Sequence, residues 1–242
     1  MRAGFQRVVS LIYPARCLSC GGLVESDFGL CGACWGKTHF IGGAICDFCS
    51  VPLLGPAGDA PLTCDGCMRT PRPWMKGRAA LVYDDTARRL VLGLKHGDRQ
   101  EIAGPAALWM AGAISDLPKK DMLLAPVPLH WTRLLKRRYN QAGLLAQALA
   151  KHEKLAMCPD LLVRYRRTLP MEKMNAKERF ENQQAAIKVH PKRRHRLIGR
   201  PVLLVDDVFT SGATLSAAAN ACLEAGSGPI YVTALARVAK AA

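Results

Sequence analysis

Val202-Leu203-Leu204-Val205-Asp206-Asp207-Val208-Phe209-Thr210-Ser211-Gly212-Ala213-Thr214 is the stretch of this 242-residue chain that decides its fold. Residues 202–205 are branched apolar side chains held between Pro201 and an acid pair, the pattern of a short strand buried on both faces. Asp206 and Asp207 fall at the carboxyl end of that strand, where open parallel α/β sheets bind ligands. The small-residue turn 210–214 then leads into an Ala-rich helical stretch over 215–225. Backbone N–H groups of such a turn, opening a helix N-terminus, make an anion cradle, and the hydroxyls of Thr210, Ser211 and Thr214 add donors. Two carboxylates beside a phosphate cradle suit a sugar phosphate, with the acids accepting from ribose hydroxyls. A bare S-G-x-T would mark only a helix start; strand, acid pair, small loop and helix in this order are far more specific.

The bulk numbers set the frame. The length supports one good-sized core and a small appendage. A hydrophobic content of 50% with 22% charged residues is that of a globular chain and not a disordered one. No apolar run approaches the length of a bilayer span. The first 14 residues are interrupted by Arg7 and followed by no small-residue cleavage site, so a cytoplasmic protein is expected. The formal charge is +15. Eight thiolates holding two Zn²⁺ would reduce it to about +11. A basic chain of this kind favours anionic partners, either phosphate-bearing substrates or nucleic acid.

Eight of the ten cysteines form four C-x-x-C knuckles: Cys17/Cys20, Cys31/Cys34, Cys46/Cys49 and Cys64/Cys67. The spacing turns both sulfurs onto one ion, and two knuckles complete a tetrahedral S₄ site. Four disulfides or a redox C-x-x-C compete with this reading, but a reduced compartment and four regular copies favour structural zinc. Sequential and crossed pairing of the knuckles both remain open, because longer loop closures cost little more. Without a histidine or an open position the sites read as structural and not catalytic. So small a ribbon depends on its metal to fold. Pro71 and Pro73 close it, which divides the chain into a ribbon over 1–76 and a second domain over 77–242.

In the second domain an opening strand is expected from Ala79, then a helix over 86–96 with Leu90 and Leu94 on one face and Gly97 at its end. A second Ala-rich helix spans 101–115. A buried strand over 123–127 runs into Pro128-Leu129-His130, and Asn140 opens an amphipathic helix carrying Leu145 and Leu149. Between them Arg133, Lys136, Arg137 and Arg138 read equally well as a solvated face or as a pyrophosphate or nucleic-acid contact. Residues 161–166 read as another strand. The polar stretch 167–182 is a lid or a disordered insert, and the cluster 192–196 a solvated loop or a nucleic-acid contact. Residues 230–236 close the sheet. Cys158 and Cys222 read as small apolar residues.

The 202–214 stretch resembles the phosphoribosyl pyrophosphate (PRPP) signature of type I phosphoribosyltransferases, with Phe209 where an aliphatic residue or tyrosine is usual. With the knuckles, Lys95 and Gly97-Asp98, P-V-P-L-H at 126–130 and R-R-Y-N-Q-A at 137–142, nearly the whole chain resembles the ComF family. The resemblance implies an α/β, Rossmann-like type I phosphoribosyltransferase fold, a mainly parallel sheet flanked by helices, with a double zinc ribbon at its N-terminus. Tyr139 takes the aromatic place of the family's R-G-F-N-Q. Thr168, Arg179 and Asn182 match its loop elements, while Met171 stands where a glutamine is usual.

The resemblance also implies roles. PRPP would set its 5′-phosphate on Thr210, Ser211, Gly212, Ala213 and Thr214 and its ribose hydroxyls on Asp206 and Asp207. Mg²⁺ would accompany the substrate. Asp206, Asp207, Lys95 and Arg138 are the catalytic candidates; Pro128, His130, Arg133 and Arg179 are candidates for the pyrophosphate and the loop. Fixed cations there would stabilise the leaving group, and a lid over 167–182 would exclude water. The expected activity is phosphoribosyl transfer, a glycosyltransferase reaction, to an acceptor that no residue set identifies. The alternative is a non-catalytic PRPP sensor or a single-stranded-DNA-binding accessory protein in competence and DNA uptake.

Overall fold

The computed structural model describes residues 14–25, 29–56, 58, 60–96, 98–165 and 186–239. The candidate lid 167–182, with Thr168, Met171, Arg179 and Asn182, lies outside the described residues, as does Gly97.

Five strands form one parallel sheet: β1 (Lys76–Val82), β2 (Leu123–Pro126), β3 (Ala156–Met157), β6 (Val202–Phe209) and β7 (Ile230–Arg237), in the order β1-β7-β6-β2-β3. A separate antiparallel pair, β4 (Leu162–Arg164) and β5 (Ile187–Val189), frames the candidate lid. The stretch 161–166 therefore joins a side hairpin and not the main sheet. Residues 162–164 pair instead with 187–189, Leu162 opposite Val189 and Arg164 opposite Ile187, and that antiparallel partner takes up their backbone.

Strand β6 is almost wholly buried, as its branched apolar run requires, but it continues through both acids to Phe209. The physical reason is its neighbour: β7 pairs with it from Val202↔Ile230 to Phe209↔Arg237. On the other side β2 stops at Pro126↔Val205. Helix α7 (Ala213–Glu224) then begins two residues earlier than its sequence pattern predicts.

The sheet is covered on both faces. One face packs on α3 (Asp85–His96), α4 (Ala103–Ala113) and α6 (Gln141–Glu153) through Leu90, Leu94, Met110, Leu145 and Leu149. The other packs on α7 and on the second set of knuckles, so Cys46, Cys49, Cys67 and Trp74 share a core with Leu204, Val232 and Phe209. Cys158 and Cys222 are both fully buried, as small apolar residues are expected to be. The remaining helices are short: α1 (Gly32–Gly36) and α2 (Asp65–Arg69) in the ribbon, and α5 (Trp131–Arg137) over the cation group.

The ribbon does not hang on a linker. Ile41 N donates to Ala80 O at 2.9 Å and Val82 N to His39 O at 2.9 Å, so ribbon backbone covers the free edge of β1. Arg78 on β1 ties the parts together. Its guanidinium, 7% exposed, donates from Nε and Nη2 to both oxygens of Asp116 at 3.1 and 2.6 Å. The same group donates to Asp47 Oδ1 at 2.7 Å and, from Nη1, to the carbonyls of Asp47 and Gly77 at 3.0 Å each. All five of its N–H bonds are thereby satisfied. Removing the cation costs Asp47 its ionic partner, while exposed Asp116 keeps Lys76 at 3.0 Å, so Arg78→Ala should cost about 2–3 kcal/mol in urea unfolding. A loss below about 1 kcal/mol would show that the pair contributes little.

Candidate active site

The crevice follows from topology. From β6 the chain crosses to β7 on one side, and from β2 it crosses to β3 on the other, so the connections diverge between β6 and β2. Such a switch point is where parallel sheets bind ligands. Because β2 ends four residues before β6 does, Asp206 and Asp207 border an open notch and not another strand.

Lys95, in the last turn of α3, places Nζ 2.9 Å from Asp207 Oδ2. A lysine in a last helical turn is ordinarily a solvated cation that favours the helix dipole; here Lys95 pairs with the buried acid instead. Asp207 N donates to Asp206 Oδ1 at 2.8 Å. Asp206 is pushed up to about 8, first by loss of hydration and then by the neighbouring Asp207 charge, while the Asp207 amide and Lys95 act against the rise. Asp207 is thus tied to Lys95, while Asp206 holds its proton near neutrality.

The loop 210–214 follows at once. Gly212 has φ +82 and caps α7; a Cβ there would meet Phe209 Cε2 at 2.9 Å and Arg72 Nη1 at 3.1 Å, so only glycine fits. Gly212 gives no side-chain cap, and although Ala213 N donates to Ser211 Oγ at 3.4 Å, the other N–H groups of the first turn are left open. Thr210 and Ser211 are exposed, and a shallow notch of about 20 Å³ is lined by Asp206, Thr210, Gly212 and Thr214. Larger depressions exist, one of about 570 Å³ beside Lys120 and Arg200, but that one sits at the amino ends of the strands, away from the acids.

The other candidates spread along the rim. Pro128 is buried, and His130 is 7% exposed, with Nδ1 2.9 Å from Thr132 Oγ1 as the cap of α5. Arg133 is exposed on α5; Arg138 is exposed in the left-handed region at φ 67, closing that helix. Among the described residues, neither hydrogen-bonds the acid pair. Tyr139 donates to Leu94 O at 2.8 Å, one residue before Lys95, and Asn140 Nδ2 to Val127 O at 2.9 Å. These two side chains therefore fix α3 and the end of β2 against each other. The cluster 192–196 forms a 3₁₀ turn whose arginines are occupied: Arg193 with Asp160 at 2.8 Å, Arg194 with Ala225 O and Arg196 with Met157 O.

The knuckles pair sequentially. Cys17, Cys20, Cys31 and Cys34 form one group and Cys46, Cys49, Cys64 and Cys67 another, with sulfurs all within 4.8 Å inside each group. Cys20 and Cys31 sulfurs are 3.8 Å apart and those of Cys49 and Cys64 3.6 Å. A tetrahedron with Zn–S near 2.3 Å has edges of about 3.8 Å, so both groups fit a structural zinc ion. Burial opposes the Cys17 thiolate, yet the N–H groups of Cys20, Cys31 and Ser19 bring it down to about 6, the state a metal ligand needs.

Residues 8–68 match a double zinc ribbon domain model. The DNA utilization protein YhgH of Salmonella typhi is 30% identical over 234 residues, covering 94% of this chain and 99% of that protein. The chain belongs to the ComF/YhgH family. Competence protein ComFC of Bacillus subtilis strain 168 is 28% identical over 84% of this chain and 82% of its own length. Among solved structures, an adenine phosphoribosyltransferase from Thermoanaerobacter pseudethanolicus aligns with 59% of this chain and 83% of that one, at 17% identity and a TM-score of 0.36.

Three residues of this ComF/YhgH chain escaped the sequence reading. Half-buried Arg164 on β4 is close enough to Arg133 and Asp206 for both charges to act on it, and burial lowers its pKa. Arg237 Nη1 donates to Phe209 O, Thr210 O and Val238 O at 3.0, 2.6 and 2.7 Å. Arg72 Nη1 donates to Ser211 O at 2.9 Å. Each lies in a stretch without motif character and reaches the site only through folding.

Two outcomes are expected. Reduced full-length protein should carry two zinc ions per chain by elemental analysis; clearly less than one would refute the S₄ reading. Asp206 binds a proton in the folded state that the unfolded chain releases above its ordinary value near 3.8. The stability it contributes is therefore full below about pH 4 and is lost as pH rises toward 8. Asp206→Asn should lift Tm at pH 8.5 by several degrees and flatten the profile; superimposable pH–Tm curves would contradict the raised acid.

Proposed function

We propose that the crevice binds Mg²⁺–PRPP and that the protein is a phosphoribosyltransferase-like enzyme transferring a phosphoribosyl group. The observation that carries this reading is the acid pair with Lys95 standing beside a glycine-opened helix N-terminus at the sheet's switch point. The 5′-phosphate accepts from the loop N–H groups and from the hydroxyls of Thr210, Ser211 and Thr214, with Gly212 and Ala213 lending backbone. Asp207, tied to Lys95, accepts from one ribose hydroxyl. Asp206, protonated near neutrality in the free protein, can donate to the other oxygen or release its proton as ligand arrives. Mg²⁺ enters with the substrate, whose own oxygens supply most of its ligands. Arg133 and Arg138, with Pro128 and His130 shaping the rim, meet the pyrophosphate; Arg179, the further candidate, lies outside the described residues. Arg133 and Arg138 offset the negative charge that develops as the C1–O bond breaks.

A second reading has its own observation. Helix α5 buries none of its residues and exposes Trp131, Leu134 and Leu135 among Arg133, Lys136 and Arg138. An exposed indole among cations suits single-stranded nucleic acid, by stacking and by phosphate contact. The names of the relatives, a DNA utilization protein and a competence protein, support a role in handling DNA. Under this reading the PRPP crevice senses its ligand without turnover.

Titration calorimetry with Mg²⁺–PRPP should show binding that Asp207→Ala weakens about 10- to 100-fold, the worth of a charge-assisted hydrogen bond. No binding at millimolar PRPP would sink the crevice reading. Failure of every base and amine acceptor to release pyrophosphate would leave binding and remove transfer. For the second reading, Arg133→Ala, Lys136→Ala and Arg138→Ala together should reduce the salt slope of single-stranded DNA binding by about 2. An unchanged slope would place DNA elsewhere.

A further inference from the structure

The second cysteine centre and the loop 210–214 are neighbours in space, and two arginines lie between them. Arg72 leaves the ribbon five residues after Cys67, sits over the Trp74 ring at 5.8 Å and donates to Ser211 O. Arg237 ends β7, sits 4.8 Å over the Phe209 ring and spans the carbonyls of Phe209, Thr210 and Val238. Trp74 completes the link. Its indole donates to Phe48 O at 2.8 Å, inside the Cys46–Cys49 knuckle, and its ring meets Phe209 edge-on at 5.8 Å. Gly212 packs against all three of Arg72, Phe209 and Trp74.

Charge explains why arginine is used here. Four thiolates around one Zn²⁺ leave a net charge of −2, which two guanidinium groups balance. The Nε atoms of Arg72 and Arg237 are buried and, among the described residues, have no hydrogen-bond partner. Geometry joins both cations to the second centre: Arg72 lies over the Trp74 ring five residues after Cys67, and Arg237 lies over Phe209, which Trp74 meets edge-on while its indole donates into the Cys46–Cys49 knuckle. A guanidinium presents its N–H bonds in a fixed fork, so one side can face sulfur while the other holds backbone carbonyls. With its carbonyls gripped from the ribbon side, the loop has its N–H groups left for the opposite side, where the anion sits.

We propose that Arg72 and Arg237 are positioning residues through which the second zinc centre, Cys46, Cys49, Cys64 and Cys67, holds the loop 210–214 in its anion-cradling shape. The ribbon is then part of the phosphate subsite and not a separate attachment. This rests on reading the loop as the 5′-phosphate cradle. Among the described residues the first centre has no such connection: Leu18 O accepts from Arg99 Nη1 at 2.8 Å, away from the loop.

The test uses the full zinc-loaded protein and the variants Arg72→Gln, Arg237→Gln and Arg99→Gln. Zinc content, amide hydrogen exchange over 210–215 and affinities for ribose 5-phosphate and inorganic pyrophosphate are read in each. In Arg72→Gln and Arg237→Gln the loop amides should exchange about tenfold faster, and ribose 5-phosphate should bind about tenfold more weakly. Zinc should stay at two per chain and pyrophosphate affinity should hold. Arg99→Gln should match the parent in every reading. Should Arg237→Gln not fold, half-buried Arg72 carries the test alone. Cys64→Ser at the second centre should loosen the same amides and Cys20→Ser at the first should not; equal loosening by both would overturn the assignment. Unchanged loop exchange in the arginine variants would overturn it too. If the parent itself binds no ribose 5-phosphate, the functional reading fails, and loop exchange still decides the coupling.

Discussion

The unequal pairing of β6 is the constraint on which the rest depends. Along β7 the strand is paired from Val202 to Phe209, at every residue but Asp207, which holds Asp206 to Phe209 extended and in register. Along β2 the ladder stops at Val205, and the backbone beyond it faces a notch. A strand anchored on one side only can present two acids at a sheet end without letting them move. The same anchoring sets where Gly212 turns, and hence where α7 aims its open N–H groups.

Around that notch the electrostatics are divided. Lys95 satisfies Asp207, while Asp206 takes the cost of lost hydration and of a like charge next to it. Environments that push two carboxyl groups apart commonly mark acid and base roles in a site. Here they divide accepting and donating between two adjacent residues. Lys95 can reach Asp207 because Tyr139 and Asn140 bind α3 and β2 to each other through Leu94 and Val127. The R-R-Y-N-Q-A stretch thus acts on the acids at one remove, by locating the cation.

The ribbon has two jobs in the fold. It pairs with the edge of β1, so the sheet ends in covered backbone on that side. It also supplies Cys46, Cys49, Cys67 and Trp74 to the core under α7, so the second cysteine centre sits within a few side chains of the loop 210–214. Arg78, with every donor satisfied between Asp47 and Asp116, fixes the angle between ribbon and sheet.

The sequence by itself determined the local chemistry. The run 202–205 with two acids and a small-residue turn is a strand, a site and a helix start under almost any packing, because burial, charge and glycine conformation act over a few residues. The C-x-x-C knuckles are equally self-contained, since their spacing alone brings sulfurs within bonding range of one ion. Tertiary structure decided what depends on distance. Sequential pairing of the knuckles, the partnership of Lys95 with Asp207, the continuation of β6 to Phe209 and the diversion of residues 162–164 into a side hairpin all turn on contacts between remote segments. Arg72 and Arg237, 165 positions apart, carry no motif at all. Their role exists only because the fold stacks a cysteine centre behind a loop, and the charge balance between the two has no trace in the order of residues.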